Sequence, residues 1–66
     1  MSKAQVAALS ADHITGMTSP ELVDAIISAE LPRLSSRDAF DVDTGDLDLL
    51  KSLALRARNV CRQQGY

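Results

Sequence analysis

The chain has 66 residues, a formal net charge of −2, one cysteine, one histidine, one phenylalanine, one tyrosine and no tryptophan. A domain of this length buries only about 60% of the surface its unfolded chain exposes; one cysteine excludes an internal disulfide, and Cys61 with His13 falls short of the roughly four ligands of a structural zinc site. No apolar run reaches the roughly 18–20 residues of a membrane span, and the first residues lack the charged start and continuous apolar core of a signal peptide, so the expectation is one small cytoplasmic domain, residues 1–66, stabilised by association.

Residues 1–16 are rich in alanine and helical by propensity, but Val6, Leu9 and Ile14 do not share a face. The expectation is a short or less ordered helix closed by Gly16, with Ser10 able to cap a turn that starts at Ala11. Residues 17–31 form the second element. Thr18 and Glu21 have capping-box spacing, and Met17 and Leu22 have that of a hydrophobic staple. Ser19 as N-cap with Pro20 behind it is the competing start, and Pro32 is the expected stop. The helix proper is expected over residues 19–30. Its apolar residues, Leu22, Val23, Ala25, Ile26, Ile27, Ala29 and Leu31, cover about 240° of the wheel, where a surface helix needs little more than about 100°. Such a face wants cover on two sides, from the N-terminal segment or from a second subunit.

Residues 32–43 are expected to be a connection, with a short turn after Ser35 or Ser36. Leu34, Phe40 and Val42 are expected to plug the ends of the helix pair, Phe40 as the anchor.

Residues 44–64 read as the main helix, its body over 45–64, with Asp43 or Thr44 as N-cap and Gly65 as stop. Leu47, Leu49, Leu50, Leu53, Ala54, Ala57, Val60 and Cys61 fall within roughly 160° of one another. Residues 38–48 hold five aspartates and no base, whereas residues 51–62 hold four bases and no acid. That order suits a helix dipole with its positive end at the aspartates. The fold expected is therefore all-α, an antiparallel helical hairpin or three-helix bundle, possibly completed by homodimerisation.

No motif specifies a reaction. Asp41, Asp43, Gly45, Asp46 and Asp48 approach the spacing of a calcium loop, but counting from Asp41 the glycine is one place early and position 12 is Ser52 in place of glutamate. Asp43-Thr44-Gly45 spells the aspartic-protease tripeptide without the β-rich, two-carboxylate context that chemistry requires. His13 and Cys61 lack a complete constellation, with Cys61 on the apolar face. No catalytic residue, cofactor or metal is therefore expected. The remaining candidate is a surface on the main helix, where Lys51, Arg58 and Arg62 lie within about 40° and Leu55 is an apolar residue on the polar side. The reading is a non-enzymatic interaction module for a protein partner, self-associating as a homodimer. The alternative is a small nucleic-acid-binding regulator using Lys51, Arg56, Arg58 and Arg62, disfavoured by a pI near 5 and by aspartates at the helix start.

Overall fold

The structure, a computed structural model, describes residues 1–31 and 35–66. Among them it has five helices and no strand: α1 (Lys3–Ala7), α2 (Ala11–Thr15), α3 (Ser19–Ser28), α4 (Ser36–Thr44) and α5 (Leu47–Gln63). The chain is all-α, with α5 as the hub that α1, α2, α3 and α4 all touch.

Short polar side chains at the helix ends explain where the elements start. Ser2 accepts from the Gln5 amide at 3.2 Å while Gln5 Oε1 accepts from the Ser2 amide at 2.7 Å, which closes a capping box on α1. Ser10 accepts from the His13 amide at 3.0 Å and starts α2 at Ala11. Residues 1–16 thus form two short helices and not one. At α3, Thr18 is the N-cap residue by its backbone, yet its hydroxyl donates to Glu21 Oε1 at 3.0 Å and caps no amide. Pro20 sits in the first turn, where its missing N–H costs nothing, and Met17 and Leu22 are both buried as a staple requires. The helix ends at Ser28, short of the expected 30, and Glu30 takes a left-handed φ of 49°. Pro32, the expected stop, and Leu34 lie outside the described residues.

The connection expected over 32–43 is largely a helix. Ser35 accepts from the Asp38 amide at 3.0 Å and Asp38 accepts from the Ser35 amide at 3.3 Å, a second capping box. Gly45, at φ 68°, ends α4 in the left-handed region that glycine enters freely. The main helix consequently starts later than expected. Its N-cap is Asp46, not Asp43 or Thr44, with Asp46 Oδ1 accepting from the amides of Asp48 at 3.1 Å and Leu49 at 3.4 Å. Gly65 closes α5 as expected, at φ 92°, with the Tyr66 amide donating to the Cys61 carbonyl at 3.1 Å in a Schellman pattern.

The core gathers Val6, Ile14, Met17, Leu22, Ala25, Ile26, Leu50, Leu53, Ala54, Ala57 and Cys61. Fully burying one Leu or Ile contributes about 1.5–3 kcal/mol, and the alanines on α3 and α5 let those helices lie close. The Cα atoms extend over 30 × 26 × 15 Å. Helices pack about 8–10 Å apart, so the thin direction holds only two layers and each helix keeps a face toward solvent. Among the described residues no helix is long and apolar enough to cross a membrane.

Candidate functional site

The face expected on α5 is divided by the fold. Lys51 and Leu55 line one shallow cleft with Ala11, Ile14 and Thr15 of α2, and Leu55 is half-buried against the core. Its place on the polar side of α5 is explained by α2, which packs there. Arg62 is turned toward α1: its Nε donates to the Ala7 carbonyl at 2.7 Å and its Nη2 to the Leu9 carbonyl at 3.4 Å. A guanidinium at those carbonyls satisfies the orphan acceptors of a short helix and suits its negative end. Arg58 donates to its neighbour Asn59 Oδ1 at 3.1 Å. The four residues therefore do not form one continuous interaction face: Lys51 and Leu55 adjoin α2, and Arg62 has a structural partner.

Phe40, expected to anchor the core, is 63% exposed. The reason is helical phase. Once 36–44 is a helix, Ala39, Val42 and Asp43 share a face at three- and four-residue spacing, and Phe40 falls off it. Leu47 and Leu49 are also exposed, as is Ile27 of α3, at 66%.

The open apolar surface collects between α3 and α4. Ile26, Ile27 and Leu31 on one side and Ala39 and Val42 on the other line a groove of about 340 Å³, open to solvent, with Glu30 and Asp43 on its rim. No residue of α4 is buried, and α4 rests mainly on α5. One ion pair fastens it: Arg56 Nη2 donates to Asp38 Oδ2 at 2.8 Å. That guanidinium, aided by the Ser35 amide and hydroxyl, holds the Asp38 carboxyl below its ordinary value near 3.8, against a weaker opposing effect of burial. On the other side of the groove Lys3 pairs with Glu30 at 3.1 Å, and the Glu30 carboxylate holds the Lys3 ammonium above its ordinary range.

The acidic stretch does not sit where a single helix start would put it. Asp46 and Asp48 lie at the positive end of α5, but Asp41 and Asp43 lie in the last turn of α4, at the negative end of that helix, with no base there. Among the described residues no three His, Cys, Asp or Glu side chains converge as a metal site would need. Cys61 is a free thiol fully enclosed in the core, and His13 is exposed on α2. No protein-family model, curated protein or solved structure matches the chain.

The α3–α4 groove is not expected from the sequence, where residues 36–44 read as part of a connection. The signals that could have found it were the Ser35–Asp38 box and Gly45, which bracket a nine-residue helix.

Proposed function

We propose that the chain is a non-enzymatic protein-interaction module whose docking surface is the groove between α3 and α4. The observation that carries this reading is the exposure of Ile27 beside half-buried Leu31 and Val42, in a molecule that encloses Leu22, Ile26, Leu50 and Leu53. Apolar side chains left open along a groove are what an incoming helix uses for anchorage. The reading is non-enzymatic because the one thiol is shut in the core and, among the described residues, no constellation supplies nucleophile, base and orienting group. A free cysteine fits a reducing compartment, and with this reading goes a cytoplasmic location.

Part of the argument for self-association falls away: α5 and α1 pack on α3, with Leu22, Ala25, Ile26 and Ala29 buried, and the Ile27 side of its apolar face stays open. The nucleic-acid alternative is weaker for a similar reason. Of its four bases, Arg56 is paired with Asp38 and Arg62 with main-chain carbonyls.

The test is an amide-shift titration of the labelled chain with an amphipathic helical peptide carrying leucines at three- and four-residue spacing. Shifts concentrated at residues 26–31 and 39–43, and lost in Ile27→Asp, are expected. Shifts confined to α2 and residues 51–62, or none at all, overturn the proposal.

A further inference from the structure

We infer that α4 is a detachable wall: it leaves α5 and loses its helix as one cooperative unit while α1, α2, α3 and α5 stay folded, and the Arg56–Asp38 pair is the latch that holds it. The groove has both walls only while that latch is closed. This property belongs to the fold and holds whether or not anything occupies the groove.

Three observations set α4 apart from the body. The core is built without it: α1, α2, α3 and α5 each bury at least one apolar side chain, Val6, Ile14, Leu22 and Leu50 among them, and α4 buries none. The one apolar side chain of α4 packed against the core is half-buried Val42. Next, its hydrogen bonds are local. Ser35 and Asp38 cap its start, Thr44 Oγ1 donates to the Asp41 carbonyl at 2.9 Å, and the Gly45 amide donates to the Val42 carbonyl at 3.3 Å. Among the described residues only Arg56 Nη2, which donates to Asp38 Oδ2 at 2.8 Å, ties residues 35–45 to another helix by a hydrogen bond. Finally, the junction with α5 is separable. α5 starts on its own cap, Asp46, and Gly45, at φ 68° with nothing within 4 Å of an added Cβ, is the pivot between the two helices.

A folded chain opens first where few buried apolar contacts cross a boundary, and the boundary around α4 has the fewest. Its nine residues fall short of the roughly 12–15 at which an isolated helix is even marginal in water, so α4 melts once released and does not swing as a rod. Release takes away Ala39 and Val42 and leaves Ile26, Ile27 and Leu31 as an open face of α3. By contrast α1, shorter still, carries buried Val6 and Ala7 and is gripped by Arg62 at the Ala7 carbonyl, so it opens with the body.

The experiment is native-state hydrogen exchange on the whole chain in rising, sub-denaturing urea, with protection taken relative to each amide's intrinsic rate. The amides of residues 39–44 are expected to share one opening equilibrium, about tenfold or more less protected than the slowest amides of α3 and α5, with a weaker urea dependence because less surface is exposed. Ile14→Val decides between a unit and the whole chain, since Ile14 is buried in α2 and is no part of the groove. It should lower the protection of the slowest α3 and α5 amides about two- to tenfold and leave residues 39–44 unchanged, because opening α4 breaks nothing at Ile14. Arg56→Gln should lower the protection of residues 39–44 about two- to fivefold, the scale of an exposed ion pair. Equal falls in α4 and in the body on Ile14→Val, or one urea slope for both, make the chain a single cooperative unit and overturn the inference. Protection graded along residues 39–44 with no shared value shows end fraying and overturns it as well. Unchanged protection of α4 in Arg56→Gln overturns the latch.

Discussion

Helices α3 and α4 differ in length by one residue, ten against nine, and both start at a residue of good N-cap type; yet α3 buries Leu22, Ala25 and Ile26 while α4 buries nothing. What separates them is the use of their sides. α3 is held along its length by apolar contact with α1 and α5. α4 is held at its ends, by the Ser35–Asp38 box, by Gly45 and by the Arg56–Asp38 pair. Capping can start and stop a helix, but a short helix without a buried face is marginal in water. The unequal pair leaves a groove, and the groove is available because α4 spends so little of its surface on the core.

The largest effect is expected where side contact dominates. Leu22→Ala should cost about 2–5 kcal/mol, read by urea denaturation. In a domain whose total stability belongs near the low end of the usual range, that loss melts α3 and α5 together. A change under about 1 kcal/mol would break the comparison, because Leu22 would then not be a tightly packed core residue.

Smaller and local effects are expected in α4. Gly45→Ala forces a left-handed backbone on an L residue at about 1–2 kcal/mol, with nothing within 4 Å of the added Cβ to confuse the reading. Hydrogen exchange should rise across Ser36–Thr44 and remain slow in α5. The Asp38 carboxylate gives a pH handle. Because Arg56 lowers its folded pKa, its support for α4 is fully present above the ordinary value near 3.8 and is lost as pH falls below it through the folded value. Protection of the α4 amides, taken relative to their intrinsic exchange rate at each pH, should therefore fall over that acid range in the native chain, and that Asp38-linked part of the acid response should vanish in Arg56→Gln. The smallest effect belongs to Phe40. With its ring exposed, Phe40→Ser should change stability by no more than about 0.5 kcal/mol, against about 3–5 kcal/mol for truncating a buried phenylalanine.

The same contrast explains what the sequence could and could not tell. α3 and the body of α5 were legible because long apolar stripes with strong start signals predict both helix and burial: Leu22, Ile26, Leu50, Leu53, Ala57 and Cys61 lie in the core as their spacing predicts. α4 was obscured by its three aspartates, poor helix formers, and by crediting all the acids to the start of α5. With α4 unread, Phe40 reads as a plug and the groove has no second wall. The α5 face failed as a unit for another reason. Leu55 meets α2 and Arg62 reaches the carbonyls of Ala7 and Leu9 across more than fifty residues of chain, contacts that no periodicity within α5 encodes.

On the proposed function the core closes within one chain and the α3–α4 groove is left for another protein. Its most direct test is solution mass measured over a wide concentration range, with helicity recorded on the same samples. The account predicts the mass of one chain and unchanged helicity throughout. A dimer that loses helicity as it is diluted would contradict it, because the apolar surface of α3 and α4 would then be part of a core shared between two copies.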